Sequence, residues 1–179
     1  MTTVEDFILP TYYKGIKFRS RTEARWAKFF DVAGIKYHYE PEAIMLKSGP
    51  YLPDFEISTG YCKTVYVEVK GVFSEQEKNR CLELSSLTKK PVLMLDGAPY
   101  FKTYGLYEHE GVYQDGQINP VGEPILLDVI VCTAGCKYSP FFYNPGFEDK
   151  EGYFKPEDWY EEYKDAIYQA LDERFGIFQ

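Results

Sequence analysis

The stretch Val65–Gly71 reads VYVEVKG. Its β-branched residues predict a strand, in which side chains alternate between two faces. The three valines then share one face, and Tyr66, Glu68 and Lys70 share the other. A valine-rich run that ends at a glycine is more typical of a central strand than of an edge strand. An acid and a base therefore lie on one face of a predicted central strand.

A second stretch, Tyr51–Phe55 (YLPDF), places Asp54 directly after a proline. If Asp54 lies at the end of a neighbouring strand, its carboxylate lies beside the carboxylate of Glu68 and the ammonium group of Lys70. Hard divalent cations prefer oxygen ligands, and a lysine can act beside a metal-bound water. These residues predict a metal-dependent active site. The alternatives are a local Asx turn at Asp54 and a solvated strand face at Glu68 and Lys70.

The first predicted helix begins at Ser20, which forms a capping-box pattern with Glu23, and ends at Gly34. Four of its residues follow the i, i+3, i+4, i+7 spacing of a sheet-facing stripe: Glu23, Trp26, Ala27 and Phe30. A second set, here called the basic stripe, follows a different face that we expect to point outward: Arg21, Arg25 and Lys28. Glu23 either heads the active site or only caps its helix, and the basic stripe is either a DNA contact or a solvated face.

This ordered set of residues resembles the PD-(D/E)xK nuclease superfamily, which has the restriction-endonuclease-like fold. Pro53-Asp54 matches the PD element and Glu68-Val69-Lys70 the ExK element. Glu23 matches a glutamate that the family commonly adds from the helix before the first core strand. The flanking sequences Phe18–Ala27 and Tyr39–Glu42 are similar to a branch of this superfamily found among small phage and bacterial proteins. The resemblance spans about residues 14–96.

The resemblance implies hydrolysis of DNA phosphodiester bonds with Mg2+ or Mn2+ as the cofactor. Asp54, Glu68 and the backbone carbonyl of Val69 would hold the metal ion. Glu23 would bind directly, through water or at a second ion. Lys70 would position the attacking water and stabilise the resulting hydroxide.

The net charge of the chain argues against a nucleic-acid enzyme, but the distribution of charge along the chain does not. The net charge is -8, yet residues 12–36 carry seven basic and two acidic residues, a net +5 that leaves -13 for the rest. From Pro145 onward there are ten acidic and four basic residues. A basic front and an acidic back suit a protein that meets a polyanion on one side. We therefore expect nucleic-acid contacts from Arg19, the basic stripe and Lys78, although for Lys78 an ordinary surface lysine is the plainer interpretation.

Three alternatives to a deoxyribonuclease stay open. A nuclease fold can bind DNA without cleaving it, although carboxylates without metal would repel phosphate. The chain can also be a protein-interaction factor, such as a phage inhibitor of a host defence, with its acidic C-terminal region as the contact. RNA rather than DNA is the third alternative.

The remaining pattern predicts an α/β fold with a mixed sheet and the core order α-β-β-β-α-β. Strands are expected at residues 36–46 and 51–57, joined through Lys47–Pro50, and at 64–70 after a turn near Gly60. Ser74 and Glu77 form a capping-box pattern that opens a helix to about Leu87. The strand Val92–Leu95 follows and stops at Asp96-Gly97. A strand, crossover helix and returning strand imply a parallel pair.

We expect residues 1–179 to form a single domain, with a nuclease-like core at 14–96 and an extension at 97–179. Within the extension we expect a hairpin turn at Gly111–Gly116, a buried strand at Ile125–Val131 and a long loop at 135–156. A C-terminal helix should run from Pro156 to about Phe175, before Gly176.

The four cysteines form no CxxC pair, which predicts reduced thiols in a cytoplasmic protein, or in the host cytoplasm if the chain is phage-encoded. A zinc site remains an alternative, with these candidate ligands: Cys62, His109, Cys132 and Cys136. The N-terminal sequence lacks a signal-peptide pattern, and no stretch approaches the ~20 apolar residues of a membrane span. We expect no membrane partner.

Overall fold

The computed structural model describes residues 11–58, 64–100, 102, 104–108, 124–131, 142–143 and 156–175. Its helices are α1 (Arg21–Val32), α2 (Glu75–Thr88) and α3 (Pro156–Asp172). Its strands are β1 (Thr11–Tyr13), β2 (Ile16–Phe18), β3 (Tyr37–Tyr39), β4 (Ile44–Leu46), β5 (Gly49–Tyr51), β6 (Phe55–Ser58), β7 (Thr64–Lys70), β8 (Val92–Asp96), β9 (Tyr104–Glu108), β10 (Ile125–Val131) and β11 (Phe142–Tyr143). None of the described helices is long and apolar enough to cross a membrane.

The main sheet is mixed and has the strand order β11-β10-β9-β8-β7-β6-β3. Strands β7 and β8 run parallel, joined by α2, and the other pairs are antiparallel. The predicted mixed sheet and parallel pair are confirmed. Strands β9 and β10 come from the sequence beyond residue 97 and extend the same sheet outward from β8.

Strand β7 lies inside this sheet and is buried on both faces. Val65, Val67 and Val69 pack with the aromatic residues of α1 in one apolar cluster. Tyr66 packs in a second cluster on the opposite face, with residues of α2 and of strands β4 and β5. The alternation predicted from VYVEVKG is therefore confirmed, and both faces are covered by helices.

Helix α1 is covered by the sheet on one side and by α3 on another. The predicted stripe of Glu23, Trp26, Ala27 and Phe30 is buried. Phe29 is buried as well, in the cluster that contains Ala166, Ile167 and Ala170 of α3. This packing was not expected from the sequence.

The predicted strands 36–46 and 51–57 are wrong in their lengths. Glu40 adopts a φ of 47° and Pro41 follows it, so the first segment breaks into β3 and β4. The second breaks at Leu52–Asp54, because Pro53 has no N–H to continue a ladder. Strand β3 pairs with β6, while β4 and β5 form a separate hairpin. A hairpin turn does lie in the predicted segment Lys47–Pro50, but only Lys47 and Ser48 form it, because Gly49 and Pro50 belong to β5.

This hairpin is fastened to α2 by side chains that cap its turn. A carboxylate oxygen of Glu83 accepts the backbone N–H groups of Lys47 and, at 3.2 Å, Ser48. The guanidinium group of Arg80 donates to the carbonyl of Pro50 at 2.6 Å. The hairpin thereby covers the α2 face of the sheet.

Other boundaries differ by small amounts. A hairpin of β1 and β2 precedes α1 and was not predicted. Helix α3 ends at Asp172 rather than Phe175, β11 lies inside the predicted loop, and Leu126 of the predicted buried strand is 54% exposed. The turns near Gly60 and at 111–116 lie outside the described residues.

Candidate active site

Asp54 lies one residue before β6 and directly beside the end of β7. In the antiparallel register Phe55 pairs with Val67, which brings Asp54 next to Glu68. Its Oδ2 accepts the backbone N–H of Val69 at 2.7 Å, and its carbonyl accepts the N–H of Glu40 at 2.9 Å. The side chain is fully buried. Asp54 therefore links strands instead of closing a local turn.

Lys70 joins the two strand carboxylates. Its Nζ lies 2.6 Å from Oε1 of Glu68 and 3.6 Å from Oδ2 of Asp54. It also donates to the carbonyl of Val69 at 3.3 Å. Glu68 is only 6% exposed, and its second oxygen, Oε2, is buried without a hydrogen-bond partner in the described part of the chain. The structure thus brings Asp54, Glu68 and Lys70 to one place, as expected from their spacing.

The protonation of Asp54 reflects this crowding. Burial raises the pKa of Asp54 to about 7, and the charge of Glu68 adds to the increase, while Lys70 and the Val69 N–H oppose it. Burial acts to lower the pKa of Lys70, but the charges of Asp54 and Glu68 outweigh it and raise that pKa above its ordinary value. Lys70 therefore stays cationic between two carboxylates.

Glu23 caps α1 and also reaches toward the strand residues. Its N–H donates to Oγ of Ser20 at 3.1 Å, which confirms the predicted cap. Its carboxylate accepts Ser20 Oγ at 2.8 Å, the Tyr39 hydroxyl at 2.6 Å and the N–H of Arg19 at 3.2 Å. The reciprocal bond of a capping box goes to Arg19, one residue earlier than predicted. Glu23 thus caps its helix and also contacts Tyr39 and Arg19.

Arg19, which the sequence predicted as a nucleic-acid contact, lies inside the site. Its guanidinium group bonds Oδ1 of Asp54, and its Nε lies 2.9 Å from Oε1 of Glu40 and 4.0 Å from Oε2 of Glu23. We call the four acidic partners of Arg19 and Lys70 the carboxylate cluster: Glu23, Glu40, Asp54 and Glu68. When all four are ionised, the two cations leave the cluster with two net negative charges.

Within the described residues, no three His, Cys, Asp or Glu side chains already converge as a set of metal ligands. The reason lies in the contacts above. Arg19 and Lys70 occupy oxygens of Asp54 and Glu68, and the carboxylate of Glu23 is directed to Ser20 and Tyr39.

Three neighbours of the cluster were not predicted as site residues. Tyr39 holds Glu23, and burial followed by that hydrogen bond raises the pKa of its hydroxyl. Tyr51 is buried, with its hydroxyl 3.7 Å from the thiol of Cys81. Burial, followed by the charge of Glu68, raises the pKa of Cys81 to about 12, which disfavours the reactive thiolate form. Tyr39 lies in the segment Tyr39–Glu42 and Tyr51 in the segment Tyr51–Phe55. Their positions in segments that already carried the resemblance could have indicated a role in the site.

The basic stripe does not form one outward face. Arg21 is exposed, and Arg25 is half-buried, with a buried Nε that lacks a hydrogen-bond partner in the described residues. Lys28 pairs with Glu173 beyond α3 at 3.1 Å and lies over the ring of Tyr13. The prediction that Lys28 points outward is wrong, because α3 packs against this side of α1. Lys78 pairs with Glu75 at 2.7 Å in the first turn of α2.

The candidate zinc ligands Cys62, His109, Cys132 and Cys136 lie outside the described residues. No protein-family model matches the sequence, and no curated protein matches it significantly.

Proposed function

We propose that this protein is a divalent-metal-dependent nuclease that hydrolyses DNA phosphodiester bonds. The observation that carries the proposal is the junction of β6 and β7. There, a fully buried aspartate, a nearly buried glutamate and a lysine are in contact, in the order that the PD-(D/E)xK resemblance expects. Buried carboxylates that crowd each other destabilise a metal-free protein, which is tolerable where function needs them.

The arrangement of elements supports this proposal. Once the two small hairpins are set aside, the chain runs from α1 through β3, β6 and β7 to α2 and β8. This succession of elements is compatible with the α-β-β-β-α-β order that the sequence pattern predicts, and it supports a nuclease-like core. The hairpins β1–β2 and β4–β5 are additions to that core.

The donor set fits an oxygen-preferring cation such as Mg2+ or Mn2+. Asp54 and Glu68 supply carboxylates, and Oε2 of Glu68 is a buried oxygen in need of a partner. Val69 lies between Glu68 and Lys70 in the sequence, and its carbonyl accepts a hydrogen bond from Nζ of Lys70 at 3.3 Å. With all four carboxylates ionised, the two net negative charges of the carboxylate cluster balance the two positive charges of one divalent ion. Asp54, Glu68 and the Val69 carbonyl would hold the ion, with Glu23 at a greater distance or through water.

A bound divalent ion would acidify a coordinated water and neutralise charge on the phosphate oxygens. The chain's own residues do the rest. Lys70, kept charged by Asp54 and Glu68, orients the attacking water and stabilises the hydroxide that forms. The Val69 N–H holds the Asp54 carboxylate in one orientation, and Tyr39 does the same for Glu23. Exposed Arg21 lies on the same helix as Glu23 and would bind the DNA backbone, as would Arg25.

The decisive test is incubation of the purified protein with supercoiled, linear, branched and single-stranded DNA and with RNA. Each substrate is tested with Mg2+, Mn2+ or EDTA. Metal-dependent cleavage of DNA supports the proposal, and cleavage of RNA alone would change the substrate class. Intact substrates under every condition would contradict a nuclease.

Substitutions locate the activity at the cluster. Lys70→Met should lower the cleavage rate about a hundredfold or more, because it removes a preorganised charge at the reacting group. Asp54→Asn should do the same, and the double variant should be hardly slower than either single variant, since these residues act as a unit. Lys90→Met is the matched control, because Lys90 pairs with Glu56 near the other end of β7. A fully active Lys70→Met would remove the site assignment.

A further inference from the structure

The two oxygens of Asp54 have different partners. Oδ2 is bonded by the strand itself, through the N–H of Val69 at 2.7 Å, with Lys70 at 3.6 Å. Oδ1 is bonded by the guanidinium group of Arg19. Asp54 is the carboxylate on which the proposed metal site depends most. One of its oxygens is therefore held by a positive charge from elsewhere in the chain.

The main chain and the side chain of Arg19 are held very differently. Its N–H is fixed by Tyr39 at 3.0 Å and by Glu23 at 3.2 Å, and the preceding Phe18 is fully buried. The side chain of Arg19 is 52% exposed, whereas that of Asp54 is 1% exposed. The guanidinium group can thus leave Asp54 toward solvent while the backbone stays in place.

Glu40 provides a second position for the same charge. Its Oε1 lies 2.9 Å from Nε of Arg19, and its side chain is partly exposed. Burial acts to lower the pKa of Arg19, but the charge of Asp54 and the contact with Tyr39 raise it above its ordinary value, so the group is always charged. If the guanidinium group of Arg19 moves away from Asp54, it can still pair with the carboxylate of Glu40 at the rim of the site.

We propose that Arg19 is an internal counter-ion that competes with the divalent metal ion for Asp54. This inference rests on the proposed function. In the metal-free protein the guanidinium group offsets the repulsion within the carboxylate cluster. A metal ion at Oδ1 of Asp54 competes with the Arg19–Asp54 ion pair, because two cations beside the same oxygen repel each other. Arg19 therefore weakens metal binding and, once displaced, remains beside the site as a cation for the substrate phosphate.

The test measures the dissociation constant of Mn2+ alone by isothermal titration calorimetry, without DNA. It compares wild type, Arg19→Gln, Arg19→Lys and the control Lys17→Gln. We expect Arg19→Gln to bind Mn2+ about tenfold more tightly than wild type, which corresponds to about 1.4 kcal/mol. Arg19→Lys should fall between the two, because a lysine keeps the charge but cannot bond Asp54 and Glu40 with separate nitrogens.

Lys17 is exposed on β2, two residues from Arg19. Its removal changes the net charge equally, and we expect its Mn2+ affinity to stay within about twofold of wild type. An equal gain in Lys17→Gln would mean that the general field, and not competition, controls affinity, which would overturn the inference. Unchanged or weaker binding in Arg19→Gln, with clear binding by wild type, would also overturn it and leave the proposed metal site intact.

The two proposals fail in different ways. If none of the four proteins binds Mn2+, the metal site itself is wrong and the nuclease proposal loses its cofactor. Circular dichroism checks that each variant is folded. Should Arg19→Gln fail to fold, Arg19→Lys decides the question, since an affinity equal to that of wild type would overturn the inference.

Discussion

At the scale of single residues, the site is controlled by where charges are buried. Asp54 is fully buried beside Glu68, and its partners Arg19 and Lys70 reach it from partly exposed positions. A carboxylate in this position gains hydrogen bonds but loses hydration and feels a like charge. Lost hydration and the like charge together outweigh the hydrogen bonds, because the pKa of Asp54 is raised and not lowered.

The raised pKa predicts how metal-free stability depends on pH. The pKa of Asp54 is about 7 in the folded protein against an ordinary 3.8, so folding favours the protonated form. The contribution of Asp54 to stability therefore falls as pH rises from about 4 to about 7, with a slope on the order of 1 kcal/mol per pH unit. Asp54→Asn should remove this part of the slope and gain stability over wild type above pH 7.

Urea denaturation in EDTA between pH 5 and pH 8 measures this effect. The control is Asp96→Asn, because Asp96 lies on the neighbouring strand with a half-exposed side chain. Asp96→Asn should keep the wild-type pH slope. An Asp54→Asn variant with the wild-type slope, or with lower stability at pH 8, would indicate that Asp54 is a structural residue.

At the scale of elements, local rules explain the parts that carry the site. Strand β7 has the predicted bounds because its valines alternate without interruption. Helix α2 begins where Ser74 and Glu77 satisfy each other's backbone N–H groups, a complete capping box. The hairpin β4–β5 was missed as a separate unit, because its anchors Glu83 and Arg80 lie thirty or more residues away on α2.

The cap of α2 can be tested without touching the cluster. Ser74→Ala removes the acceptor for the N–H of Glu77 and should cost about 1 kcal/mol. For a chain of this length the melting temperature should fall by roughly 2–4 °C. Ser86→Ala, within the same helix, should cost nothing, because alanine is the better helix former there. Equal melting temperatures for the two variants in scanning fluorimetry would contradict the role of the cap.

At the scale of the whole molecule, the sequence beyond residue 97 completes the core. Strands β9 and β10 extend the main sheet, and α3 packs against α1 through Ala166, Ile167 and Ala170. This packing takes Lys28 out of the basic stripe by pairing it with Glu173. Arg21 stays exposed at the start of the same helix, close to Glu23.

DNA binding should therefore distinguish two residues of one stripe. In a Lys70→Met background, which prevents cleavage, Arg21→Gln should lower the slope of log K against log salt by about 0.9. Lys28→Gln should leave that slope unchanged but weaken the contact between α1 and α3, and so lower the melting temperature slightly. Fluorescence anisotropy at several salt concentrations gives the slopes. A smaller slope for Lys28→Gln alone would place the DNA on the side of α3.

The sequence by itself determined the features that depend on near neighbours. The alternation of VYVEVKG, the caps at Ser20 and Ser74 and the crossover through α2 predicted β7, the starts of α1 and α2, and the parallel pair. The grouping of Asp54 with Glu68 and Lys70 came instead from the ordered PD and ExK motifs. Periods of two and 3.6 residues and fixed capping distances are local, so a single chain segment contains them. Only the tertiary structure brought Arg19 to Asp54, covered Lys28 with α3 and fastened β4–β5 to α2. Each of these contacts joins segments that are far apart in the sequence, so no local repeat or capping distance predicts it. Each depends on how the whole sheet and its helices pack.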